Sequence, residues 1–126
     1  QHKSNRNKQA AINHIKELLA DAKFVKIIDR YIAKEAHHWQ QCKQVLEEVL
    51  PRKELKPLKI ITNNFRNHSD LRRIDSNWDV KAEQIGQNVH DRYIETDKVI
   101  ILLSSGLFHL SPDSNTDLTY IVKMKK

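Results

Sequence analysis

Apolar residues recur along this chain with two distinct periods, and the switches between them mark its elements. Over residues 8–23, Ile12, Ile15, Leu18 or Leu19, and Ala22 fall three or four positions apart. Those steps put them on one stripe of a helix, so the segment is predicted to lie with one side against a sheet or a partner. Residues 24–29, Phe-Val-Lys-Ile-Ile-Asp, are β-branched and largely apolar and read as a strand. The helical period returns over 33–50, where Trp39, Cys42, Val45 or Leu46, and Val49 share a side, with Glu47 and Glu48 opposite. Pro51 stops that helix. A basic connector, 51–57, leads to a second strand at 58–62.

The second half of the chain is richer in strands. The polar loop 63–68 follows the second strand, and Ser69 or Asp70 is then expected to cap a short helix carrying Leu71 and Ile74. Arg66, Arg72 and Arg73 make this stretch basic. Loose alternation at 78–84 predicts a third, exposed strand, and Ile85-Gly86-Gln87 a turn or bulge. Residues 88–95 read as a fourth strand. Thr96-Asp97-Lys98 turns the chain into a fifth, the unbroken apolar run 99–103, so the two form an antiparallel hairpin. A continuous apolar run predicts a central strand buried on both faces. Leu107 to Leu110 needs cover, 112–116 is a loop, and 118–124 is a last strand. The sum is a helix, a β–α–β unit and a meander: an α/β fold with a single mixed sheet flanked by helices.

The 126 residues suit one domain able to bury its own core. Residues 1–22 are expected to form an N-terminal helix ahead of a domain spanning 23–126, with 1–8 a frayed basic lead-in. Only 2 glycines and 3 prolines argue against a turn-rich sandwich or a glycine-rich nucleotide loop. Lys plus Arg number 22 against 16 Asp plus Glu, a formal charge of +6 that favours polyanionic partners. The one cysteine, Cys42, precludes an intrachain disulfide and points to a reducing, cytoplasmic compartment. No apolar run approaches the roughly 20 residues of a membrane span. The chain opens at Gln1 rather than Met, as a trimmed chain or a part of a larger protein would.

The densest chemistry precedes the fifth strand. His90-Asp91-Arg92-Tyr93-Ile94-Glu95-Thr96-Asp97 contains His-x-Arg-x4-Asp. On a strand His90 and Arg92 share a face, setting an imidazole beside a permanent cation. That pair suits a phosphate: the guanidinium binds two oxygens while the imidazole attacks or protonates. Asp29, Arg30 and Tyr31 follow the end of the first strand, the favoured place for a site in an open α/β sheet. The plain structural alternative is an aspartate capping the next helix and a tyrosine covering the core edge. Asn63, after the second strand, and Ser104-Ser105, after the fifth, are further neighbours. His37 and His38 are adjacent and point about 100° apart on a helix. No third ligand has helical spacing to them, so no metal site is expected.

The motif resembles the phospholipase D signature, His-x-Lys-x4-Asp with Gly-Ser after six more residues; here 98–103 separate Asp97 from Ser104-Ser105. The strand–helix–strand order, over about 23–124, is similar to one half of that fold. The variant His90-Asp91-Arg92 with a following β-hairpin is similar to the phospholipase D-like domain at the C-terminus of some MIT-domain proteins and to related bacterial domains. The resemblance implies chemistry without cofactor or metal: His90 attacks phosphorus, Arg92 holds oxygens, Ser104 and Ser105 support the phosphate, and Asp97 orients its neighbours. A working enzyme would need a homodimer to supply a second motif. Three departures point away from cleavage: Arg92 for the lysine, Ser104 for the glycine, and Phe108 for an asparagine of the longer motif. The resulting expectation is a degenerate phosphate-recognising domain binding nucleic acid or anionic lipid. The alternatives are a metal-independent nuclease active as a homodimer, and a protein-interaction domain with a vestigial site.

Overall fold

The computed structural model of the chain describes residues 2–32, 35–51, 56–63 and 78–126. Helix α1 spans His2–Leu19 and helix α2 Ala36–Val49. The strands are β1 (Val25–Ile28), β2 (Lys56–Thr62), β3 (Trp78–Gln84), β4 (Tyr93–Thr96), β5 (Val99–Leu103) and β6 (Tyr120–Met124). They form one mixed sheet in the order β3-β2-β1-β4-β5-β6. β1, β2 and β3 are parallel neighbours, and β4, β5 and β6 add on antiparallel. The α/β fold with one mixed sheet, read from the sequence, is the fold observed. The short helix expected at 69–74, with Arg66, Arg72 and Arg73, lies outside the described residues, as does most of the 51–57 connector.

The register explains the core. Ile27 pairs with Ile60 and Ile94, and Ile94 with Ile101, so one row of isoleucines crosses four strands. All four are at most 1% exposed, and each such burial is worth about 1.5–3 kcal/mol. The helical stripes Ile12, Ile15, Leu19 and Trp39, Cys42, Val45, Leu46, Val49 join the same cluster. α1 therefore shares the sheet's core. Lys8 is buried too, its ammonium donating to the Ser114 carbonyl and tying α1 to the 111–114 loop. On the other face of the sheet, Lys26, Lys59 and Glu95 remain half-buried, and ion pairs cross the strands there (Lys59–Glu83, 2.9 Å; Lys26–Glu95, 3.9 Å).

Three expectations need correction. α1 begins at His2, so residues 2–8 are helix and not a frayed lead-in. β5 alternates buried and half-buried residues, because α1, α2 and the 3-10 turn Leu107–Leu110 cover one face of the sheet. β1 is the strand closest to burial on both faces. β4 starts at Tyr93, not Asn88, so His90 and Arg92 precede the strand. The cause is Arg30, whose guanidinium donates to the carbonyls of Gly86 (2.9 Å), Gln87 (3.1 Å) and Val89 (2.6 Å). Those carbonyls are drawn into a loop around one side chain and are lost to a ladder.

Candidate functional site

Strand direction decides which motif residues can meet. Ile28 pairs with both Ile61 and Tyr93, and Tyr93 with Leu102. The ends of β1, β2 and β5 and the start of β4 therefore lie along one edge of the sheet. Asp29, Asn63, Arg92, Ser104 and Ser105 all sit there. Asp97 does not. It lies in the β4–β5 turn at the opposite edge, where its Oδ1 accepts the Lys23 N–H at 2.8 Å. That bond, first among the causes, holds its carboxyl below the usual range. A four-residue strand, about 13 Å long, separates the two edges. The expected partnership of Asp97 with His90 and Arg92 is thus replaced by a structural role, tying the hairpin turn to the chain entering β1.

Asp29 is fully buried at the end of β1. Its Oδ2 accepts the Leu107 N–H at 2.6 Å and its Oδ1 the Tyr31 N–H at 2.9 Å. It fastens the start of the 3-10 turn to the strand end, which is a capping role, although for a different element from the one the sequence suggested. Burial pushes its carboxyl above the ordinary value, opposed by those two hydrogen bonds and by the charges of Arg92 and His38. Tyr31 contributes its backbone to this network and leaves its side chain exposed.

Arg92 is half-buried and donates to the Ser104 carbonyl at 3.1 Å. The Leu103 N–H bonds the Arg92 carbonyl at 2.9 Å, so backbone and side chain both hold this arginine beside the end of β5. Ser104 is occupied otherwise than expected: its hydroxyl accepts the Thr119 N–H at 2.9 Å. Asn63 is engaged with β3, its Oδ1 accepting from the Gln84 amide at 2.6 Å. His90 is exposed on the loop that Arg30 latches.

Four side-chain atoms on residues at this edge are buried without a hydrogen-bond partner: Arg30 Nε, Thr62 Oγ1, Arg92 Nε and Ser105 Oγ. An unmet buried polar group costs about 1–3 kcal/mol, and buried polar groups left unmet call for a physical explanation. Arg92 Nε and Ser105 Oγ belong to the two residues between which the motif would place a phosphate.

Sequence reasoning missed several residues around this edge. His38, on the first turn of α2, stacks on Phe108 with ring centroids 4.1 Å apart. His109 Nδ1 is 2.6 Å from the Ser114 hydroxyl. Burial first, then the positive charges of Lys8, His38 and Arg92, hold His109 below its usual 6.5. Arg92 and His38 thus act on both His109 and Asp29. Gly106 permits the packing: a Cβ there would lie 2.7 Å from Phe108 Cε2. The signal available in the sequence was weak, since His38 and His109 belong to elements 70 residues apart and neither falls in the motif. His14, on α1, is exposed and pairs with the Tyr120 hydroxyl at 2.7 Å.

The adjacent histidines also depart from expectation. Glu35 precedes α2 in extended conformation (φ −133, ψ 160), and its carboxylate makes no capping bond. Its Oε2 lies 3.3 Å from His37 Nδ1, and the His37 and His38 ring centroids are 4.1 Å apart. The third group comes from the residue before the helix, where helical spacing does not apply.

Between α1 and the C-terminal part of α2 a groove of about 690 Å³ is lined by Lys16, Glu47, Glu48 and Pro51 among others. Its two carboxylates disfavour phosphate there. No family model matches the chain, and no curated protein matches it. Among the described residues, no helix is long and apolar enough to cross a membrane.

Proposed function

We propose that this chain is a phospholipase D-like domain that recognises phosphate groups, of nucleic acid or anionic lipid, without cleaving them. The observation that carries this reading is the pair of unmet buried donors, Arg92 Nε and Ser105 Oγ, at one sheet edge. A phosphate oxygen is a natural partner for both: guanidinium and hydroxyl groups give strong, charge-assisted bonds to it. Arg92 and His38 act favourably on a negative charge at this edge, as they do on Asp29, and the net charge of +6 favours approach of a polyanion.

Against catalysis stand the exposure of His90, its place on a loop, and the removal of Asp97 to the far edge. A second reading keeps His90 as a nucleophile in a homodimeric, metal-independent phosphodiesterase. The exposure that weakens pre-organisation also makes His90 reachable by a substrate and by a second copy.

The two readings separate in one experiment. The protein, with EDTA present, is mixed with labelled single-stranded DNA, single-stranded RNA, anionic vesicles and a chromogenic phosphodiester. Binding that weakens in Arg92→Ala, with no cleavage, is the expected result. Cleavage abolished by His90→Ala would instead establish the enzyme. Binding indifferent to Arg92→Ala and Ser105→Ala would dismiss both and leave an interaction domain.

A further inference from the structure

We propose that Glu35, His37 and His38 form a binding site for a borderline divalent transition-metal ion, zinc above all, where the chain enters α2. The inference does not rest on the phosphate reading. Two imidazoles and a carboxylate are the donor set that zinc favours over hard cations such as magnesium. One ligand atom from each residue lies within 4.8 Å of the others.

The closest pair is the most informative. His37 Nδ1 and Glu35 Oε2 are 3.3 Å apart, too long for a strong charge-assisted bond, which runs about 2.7–2.9 Å. It matches the ligand–ligand edge of a tetrahedral zinc site: bonds of about 2.0–2.1 Å imply edges of roughly 3.3–3.4 Å. All three ligand atoms lie within 4.8 Å of one another, and side-chain rotation closes that to a tetrahedral edge, since the Glu35 and His37 side chains are 59% and 63% exposed.

The surroundings favour capture. Glu35 sits at the N-cap position without a capping bond, so its carboxylate is not committed to the helix. His38 is braced by Phe108, with planes 29° apart, and interacts electrostatically with Asp29. Support of a ligand imidazole by surrounding groups is common around metals. The start of a helix opposes a cation by about 0.3–1 kcal/mol. That is small beside three coordinate bonds, one of them to an anion. Three protein ligands leave a fourth position for water or a ligand oxygen, the open arrangement rather than the closed structural one.

The test uses chelator-treated protein titrated with zinc chloride by calorimetry, in buffer without phosphate or nucleic acid. One ion per chain is expected, weakened at least about tenfold in both Glu35→Gln and His37→Ala. His14→Ala and His90→Ala should leave the affinity unchanged, and magnesium should not bind. Cobalt(II) gives a second readout through the intense visible bands of a tetrahedral ion, absent in His37→Ala. Both tested side chains are exposed, so folding is not at issue, and circular dichroism verifies it. No uptake of zinc, or uptake equal in wild type, Glu35→Gln and His37→Ala, would overturn the proposal. EDTA in the phosphate assay keeps the two tests independent.

Discussion

Replacing Asp29 with alanine should be among the most costly single changes in this protein. The loss can be worked from two bonds. The N–H groups of Leu107 and Tyr31 both donate to Asp29, at 2.6 and 2.9 Å, and the residue is fully buried. Each buried donor left unmet costs about 1–3 kcal/mol. Removing a buried carboxyl relieves part of this, since its own desolvation is unfavourable. The net expectation is a loss of about 2–4 kcal/mol, or roughly 10 °C in Tm for a domain of this size. Urea unfolding followed by the fluorescence of buried Trp39 would read it. Asp29→Asn separates shape from charge, because its amide turns one acceptor into a donor facing an N–H. The pH dependence gives a second arm. Burial raises the folded-state pKa above the usual 3.8, so the folded protein holds this proton more tightly than the unfolded chain. The stabilisation it contributes is complete at low pH and is lost as pH rises through the raised value. The stability difference, wild type minus Asp29→Asn, should therefore decline with rising pH above 3.8. A loss under about 1 kcal/mol, or a difference that grows with pH, would refute this account of Asp29.

Other substitutions probe the parts around it. Arg30→Ala removes bonds to three carbonyls of the 86–89 loop. Amide hydrogen exchange over 86–92 should accelerate, with stability falling by about 1–2 kcal/mol. Gly106→Ala puts a methyl 2.7 Å from Phe108 Cε2 and forces that ring off His38. A loss of about 1–3 kcal/mol is expected in the same urea assay. Burial, and secondarily the charge of Asp29, push the Cys42 thiol well above its usual 9.0. A disulfide reagent should label it only at the rate of unfolding, and fast labelling of the folded protein would contradict its place in the core.

Much of the fold was legible because it depends on local periodicity. The Ile12–Ile15–Leu19 and Trp39–Cys42–Val49 stripes are each read from one helix's own spacing, and each is buried as expected. The sheet-edge positions of Asp29, Asn63, Arg92 and Ser105 follow once β1 and β2 are parallel and β4 and β5 form a hairpin. What the sequence concealed depends on contacts between distant residues. Arg30 lies more than 50 residues from the carbonyls it gathers, and no local pattern announces that 88–92 will leave the sheet. Asp97 has the motif's spacing, but an eight-residue motif on a strand reaches from one edge of the sheet to the other. Helical spacing ruled out a third ligand for His37 and His38, yet Glu35 stands before the helix, where a different backbone geometry holds.

The central claim concerns the sheet edge that carries Arg92 and Ser105, and an amide NMR titration with a short single-stranded DNA at low salt addresses it directly. Phosphate recognition predicts shifts concentrated at 29–31, 90–92 and 104–107, with 96–98 at the opposite edge unmoved, and their disappearance in Arg92→Ala. Shifts centred on the β4–β5 turn or on the Glu47–Glu48 groove, or an unchanged spectrum, would contradict it.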